Sequence, residues 1–324
     1  MNIISKKRIG VDGIERNLDD IRDYLVGEIE SGIYSKLTTS PGLLGQGVVN
    51  DIILHLHDIL TADPVELKRI ADDVDANYMN VFCMHNNNRW VSTDLGKKLL
   101  KAFNYQGYRE NVLVNVAKML NVKTCPYCNM HYTLYANEYR QGRRKLKISK
   151  ITRFQFDHFF DKMHYPMLSM SFYNLIPSCS ICNQGKSAKH LALAYHPYAS
   201  NIGKQFHFEL ADPLGPYTSA RVKDEVEINL VPIACVNQQD FDTYVNTFHL
   251  KSLYSRHGDV VQEVFDKAYE DPYYLNPANF NFLSNRATDY LKQLWLGNYV
   301  KQEDIEKRPL AKFMQDLWKQ AKGE

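Results

Sequence analysis

Two Cys-x-x-Cys pairs set the strongest constraint on how this chain can fold. Cys125 and Cys128 lie in T-C-P-Y-C-N, and Cys179 and Cys182 lie in P-S-C-S-I-C-N-Q-G-K. One such knuckle offers two thiols to one ion, and two knuckles complete a tetrahedral set. The chain between them must then return on itself to close on the metal. Redox pairs or simply buried thiols are the alternatives, but x-x spacing twice favours zinc. Four thiolates leave no open position, so this Zn²⁺ is expected to be structural. Four of the six cysteines fall in the knuckles, which suggests metal in a reducing compartment rather than disulfides. Cys83 and Cys235 are expected as small buried hydrophobes.

Between the knuckles runs F-Q-F-D-H-F-F, with Asp157 beside His158, and then Asn174 in Y-N-L-I-P. Hydrolysis of a phosphodiester needs a base for water, a cation for the phosphate charge and support for the leaving oxygen. Histidine titrates near neutral pH and suits the first task. A dication on carboxylate and amide oxygens suits the other two. Adjacent residues of a strand face opposite sides, so a bend or bulge would be needed to bring Asp157 and His158 to one phosphate. His131, His164 and His196 are expected to be structural.

The net charge of +2 hides an uneven distribution. Residues 121–200 hold eleven basic side chains against three acidic ones, a balance of +8, so the remaining 244 residues carry −6. Seven of the eleven lie between Arg140 and Arg153. A basic segment in an acidic chain is a footprint for a polyanion, and Arg143, Arg144, Lys145 and Lys147 are its candidate phosphate contacts. A solvated hairpin tip is the plainer reading.

The pattern divides the chain into a helical region over 1–120, a central module over 121–200 and an α+β region over 201–324. Helical spacing marks 16–29, 48–60, 96–103 and 109–120, and Asp63-Pro64 opens a further helix. Asn86-Asn87-Asn88 is a polar loop. Alternation marks strands over 131–139, 146–156, 205–210 and 225–231. Long helices are expected over 248–268, 282–296 and 302–321, the last with Leu310, Phe313, Met314 and Leu317 on an apolar side that could dock a partner. No phosphate-binding glycine loop occurs. No apolar run approaches the ~20 residues of a membrane span, and the first residues lack a secretory apolar segment, so the cytoplasm is the expected location.

The central module resembles the HNH endonucleases of the ββα-metal fold, in the subtype stapled by a four-cysteine zinc. The family pattern C-x-x-C, D-H, N, C-x-x-C-[HN]-x-x-K is matched in order by Cys125, Cys128, Asp157, His158, Asn174, Cys179, Cys182, Asn183 and Lys186. The resemblance implies that His158 is the general base and that Asp157 and Asn183 hold a catalytic Mg²⁺ or Mn²⁺. Asn183 stands where many members carry a histidine, and its amide oxygen favours the harder ion. The resemblance further implies that Asn174 fixes the loop after His158 and that Lys186 reaches a phosphate oxygen. The longer run from Asp157 to Lys186 is similar to the HNH nucleases that accompany an SMC-like or ABC-type ATPase in anti-phage systems, Septu-type and retron-linked ones included. Nucleic acid, with DNA ahead of RNA, and such an ATPase are the partners this implies. Two other readings fit part of the pattern: a non-enzymatic zinc-stabilised nucleic-acid-binding module, and a stand-alone restriction-type endonuclease.

Overall fold

A computed structural model describes residues 4–78, 80–87, 89–141, 146–218, 224–274 and 288–323. The fold is mixed α+β, with short two-stranded antiparallel sheets among helices. Its described residues form two compact units, one within 4–122 and 133–200, the other within 123–132 and 201–323. This differs from three consecutive segments, because the first knuckle belongs with the C-terminal region.

In the first unit, β1 (Lys7–Ile9) and β2 (Glu15–Asn17) form a hairpin that the helical spacing of the N-terminal region did not announce. Helix α1 (Leu18–Thr39) starts one residue later, where the Asp20 carboxylate accepts from the Asn17 amide at 2.9 Å. It buries Leu18, Ile21, Leu25, Ile29, Ile33 and Leu37, one stripe at helical spacing. The single helix expected over 48–60 is two, α2 (Gly47–Leu54) and α3 (Leu56–Thr61), interrupted at His55. Helix α4 (Pro64–Asn77) begins as its sequence dictates: Asp63 accepts from the amides of Val65 and Glu66 at 2.8 and 2.9 Å. A second hairpin pairs β3 (Cys83–Asn86) with β4 (Arg89–Ser92), Asn87 after β3 being left-handed.

Helix α5 (Asp94–Phe103) is capped by Thr93, whose hydroxyl accepts from the Gly96 amide. A Cβ at Gly96 would lie 2.2 Å from the Phe82 carbonyl oxygen, so only glycine permits this approach. The short α6 (Tyr105–Arg109) and α7 (Val112–Leu120) follow. The buried Arg8 closes the end of α7, its Nε donating to the Leu120 carbonyl at 2.6 Å. Strands β5 (Tyr135–Gln141) and β6 (Leu146–Thr152) pair from Tyr135↔Thr152 to Gln141↔Leu146. The strand expected over 146–156 breaks before β7 (Gln155–His158), which pairs with β8 (Leu175–Ser178); α8 (Ser180–Lys186) follows.

The second unit pairs β9 (Phe206–Leu210) with β10 (Ile228–Pro232), and the four-residue α9 (Gly215–Thr218) lies between them in sequence. Helix α10 (Gln238–Thr247) precedes the helix expected over 248–268, which is divided into α11 (Leu250–Tyr254) and α12 (Gly258–Tyr274); His249, just before α11, takes a left-handed conformation. Helix α13 (Thr288–Leu296) accounts for the described part of the expected 282–296 helix; 282–287 lie outside the described residues. Residues 302–307 form a 3-10 turn, and α14 (Ala311–Lys322) starts only after Leu310, itself left-handed.

The apolar face of α14 is not a free docking surface. Phe313 and Leu317 are fully buried, and the Phe313 ring packs at 5.2 Å from Phe208 and 4.9 Å from Tyr254. Three successive carbonyls of the first knuckle are held within this unit. Tyr127 accepts from the Tyr244 hydroxyl, Cys128 from the Tyr254 hydroxyl at 2.6 Å, and Asn129 from the Leu310 amide at 2.7 Å.

Candidate active site and metal centre

The ligand sulfurs of Cys125, Cys128, Cys179 and Cys182 lie within 4.8 Å of one another, and all four residues are buried. Ligands on a tetrahedral zinc at ~2.3 Å sit about 3.8 Å apart, so the four thiols fit such an ion with small adjustment. Backbone amides already donate to two of the sulfurs, Met130 to Cys128 and Cys182 to Cys179, both at 3.4 Å. Cys179 is also the N-cap of α8. Of the two other cysteines, Cys83 is buried and its thiol is pushed up to about 11 chiefly by burial. Cys235 is exposed rather than buried as expected, on the turn that follows β10.

Asp157 and His158 end β7, and their register is unbroken: Asp157 opposes Ile176 and His158 opposes Leu175. No bulge is present, yet both residues line one cleft of about 360 Å³, together with Asn183 of α8. The two reach it because β7 stops at His158 and the chain turns into the 159–170 loop. That loop is held by Asn174, which is fully buried. Its side-chain oxygen accepts from the Phe160 amide at 2.7 Å. Its nitrogen donates to the carbonyls of Phe160 and Leu168 at 3.0 and 2.8 Å.

His158 faces the Ser169 carbonyl through Nε2 at 3.0 Å. A carbonyl only accepts, so Nε2 carries the proton and Nδ1 keeps a lone pair. Burial, and next the positive charge of Lys162, push the imidazole down to about 3, so the ring is neutral at pH 7. The Tyr105 ring meets it edge-on at 4.8 Å. The turn that supplies Ser169, Pro166–Met170, packs against α5.

Lys186 is turned inward. Its side chain is fully buried, its ammonium donates to the His158 carbonyl at 2.8 Å and it lies 3.4 Å from Asp157 Oδ2. The expected reach of Lys186 to a phosphate is therefore replaced by an internal ion pair, which holds both site residues from behind. The Asn183 amide nitrogen donates to Gln155 Oε1, leaving its oxygen as the atom it can offer. Asp157 and Asn183 thus present hard oxygen donors of the kind Mg²⁺ takes.

Of the basic hairpin, Arg143, Arg144 and Lys145 lie outside the described residues, as does the side chain of Lys147. His164 is paired with Asp161, Nδ1 to Oδ2 at 2.7 Å, and His196 is fully buried at 4.3 Å from the Phe159 ring. The cleft also contains residues the motif did not point to: Tyr105, Gln106 and Arg109 from α6, and Asp161 and Lys162 from the loop after His158. No sequence signal links α6 to the site, since it lies some fifty residues upstream in a different kind of segment.

Among the described residues, no helix is long and apolar enough to cross a membrane. No family model matches the chain, and neither a curated protein nor a solved structure matches it.

Proposed function

We propose that the chain is a metal-dependent HNH-type endonuclease that hydrolyses phosphodiester bonds of nucleic acid. The observation that carries this reading is the convergence of Asp157, His158 and Asn183 on one cleft, with the His158 imidazole neutral and fixed by Ser169. The strand–strand–helix order of β7, β8 and α8 supports it.

In this reading His158 Nδ1 takes a proton from the attacking water, while the Ser169 carbonyl keeps the ring from rotating. The approaching phosphodiester brings negative charge, which favours the imidazolium that forms. Asp157 and Asn183 are the residues that would hold the catalytic Mg²⁺ or Mn²⁺; a dication there neutralises phosphate charge and stabilises the leaving oxygen. Asn174 keeps the His158 loop in place, and Lys186 holds the carboxylate and the β7 backbone. The four cysteines would hold a structural zinc, whose closed thiolate set leaves no position for the chemistry.

The resemblance of the Asp157–Lys186 run supports a place for this nuclease in anti-phage defence, under control of an SMC-like or ABC-type ATPase. The test of the activity is direct. Purified chain is given plasmid, single-stranded DNA and RNA with Mg²⁺ or Mn²⁺, and His158→Ala is run beside it. Metal-dependent cleavage lost in His158→Ala supports the reading; cleavage at full rate in that variant removes it. Co-purification with an ATPase encoded beside this chain tests the control.

A further inference from the structure

Two cations line the cleft wall. Arg109 ends α6, and Lys162 follows His158 in the loop; both line the same cleft as Asp157, His158 and Asn183. Among the described residues, neither forms an ion pair with a carboxylate. The acid nearest in sequence to Lys162 is already engaged. Asp161 Oδ1 accepts from the amides of Met163 and His164, and Oδ2 holds the His164 ring. Asp157 faces Lys186.

The Lys162 ammonium sits 5.0 Å over the Tyr105 ring and is pushed below its ordinary range by burial and then by the Arg109 charge. Tyr105 itself is anchored, its hydroxyl donating to the Phe156 carbonyl at 3.3 Å. Two like charges facing one cleft repel each other, and an anion between them relieves that repulsion. Arg109 opens in addition onto an adjoining cavity of about 540 Å³, bordered by Glu110, Thr152, Phe154 and Gln155; Glu110 forms no ion pair with Arg109 among the described residues. A bound anionic group would thus have neighbours on both sides of it, as a link of a polymer does.

We propose that Arg109 and Lys162 form a phosphate-binding subsite for a nucleic-acid backbone, built partly by α6. This deepens, and rests on, the reading of the cleft as a nuclease site. The guanidinium supplies a planar fork for two phosphate oxygens, and the ammonium adds a point charge. The helical N-terminal region then has a stated task, which is to furnish one side of the substrate path.

Binding to a DNA duplex, a DNA strand and an RNA strand of one sequence tests this, each fluorescently labelled and titrated at rising salt with the full chain. His158→Ala serves as background so that probes stay intact. Arg109→Ala and Lys162→Ala should each weaken binding about tenfold and lower the slope of log affinity against log salt by about one. Arg109→Lys should keep the slope and lose only part of the affinity. Arg109 is exposed, so its variants are expected to fold, and their melting temperatures check this. Unchanged affinity and slope in both alanine variants overturns the subsite even if the wild type cuts. Binding by wild type with these losses, but no cleavage under Mg²⁺ or Mn²⁺, keeps the subsite and removes the nuclease reading. No binding of any probe overturns the subsite. Which of the three probes responds identifies the backbone it serves.

Discussion

The Lys186 ammonium donates to the backbone carbonyl of His158 at 2.8 Å while lying 3.4 Å from the Asp157 carboxylate, and its side chain is fully buried. One lysine thus fixes the position of both motif residues from the protein interior. Removing it takes the ion-pair cation from a buried carboxylate. Lys186→Met should therefore cost about 3–5 kcal/mol, the range for breaking a buried pair from one side. Urea unfolding measures it. A loss under about 1 kcal/mol, the size of an exposed pair, would mean that Asp157 is held chiefly by other groups.

The four-thiol cluster should bind one zinc per chain. Cys125→Ser or Cys182→Ser should lower the metal content and the melting temperature together, because a structural zinc contributes folding free energy. Metal analysis alongside calorimetry checks this. A variant that loses zinc and melts unchanged would show that the thiols merely pack.

His158→Ala should remain folded with cleavage down by at least ~10²-fold, the low end for losing a general base. Asp157→Asn and Asn183→Ala should instead raise the Mg²⁺ concentration needed for half-maximal rate, and Mn²⁺ should restore part of it. Cleavage rates over a metal titration separate the two patterns.

Stability should fall as the solution turns acidic. His196 is fully buried, and burial pushes its imidazole down to about 3; His158 behaves alike. The unfolded chain takes up these protons first, near pH 6.5. The stabilisation is therefore complete above about pH 6.5 and is lost progressively toward pH 3. Two such groups give a slope of up to about 2.7 kcal/mol per pH unit. His164 acts in the opposite sense, since Asp161 raises it. Urea unfolding from pH 7.5 to 5 without added metal should show the decline, and His196→Asn should reduce the slope by about one proton.

Gly96→Ala should destabilise by about 1–3 kcal/mol, the cost of forcing atoms into a packed interior. The new methyl would meet the Phe82 carbonyl oxygen at 2.2 Å, so the strain falls on backbone. Because α5 packs against the turn that carries Ser169, the same change should lower activity as well as melting temperature. Equal activity with lower stability would uncouple α5 from the His158 ring.

The four-cysteine cluster was legible in the sequence because a tetrahedral metal site demands particular residue types at particular spacings. Cys125, Cys128, Cys179 and Cys182 could be grouped from spacing alone. Asp63 and Pro64 gave a helix start because a cap is a local interaction. The inward turn of Lys186 was not legible: whether a lysine faces solvent or a buried carboxylate depends on packing across β7 and α8. Arg109 and Lys162 carried no signal, since a lone cation looks the same on a wall or in water. The breaks at His55 and between Tyr254 and Gly258 were missed because apolar periodicity runs through them, while the backbone geometry that ends each helix is set by tertiary contact. The hairpins β1–β2 and β3–β4 were hidden by their length, three or four residues a strand.

The three knuckle carbonyls that accept from Tyr244, Tyr254 and Leu310 bear on how this chain matures on the ribosome. Leu310 follows Asn129 by 181 residues, roughly 9–36 s of synthesis at typical elongation rates. Through that interval Cys125 and Cys128 exist without the segments that later enclose them. They are then open to metal and to oxidants alike, so the reducing conditions and zinc supply during translation decide which nascent chains can finish the second unit.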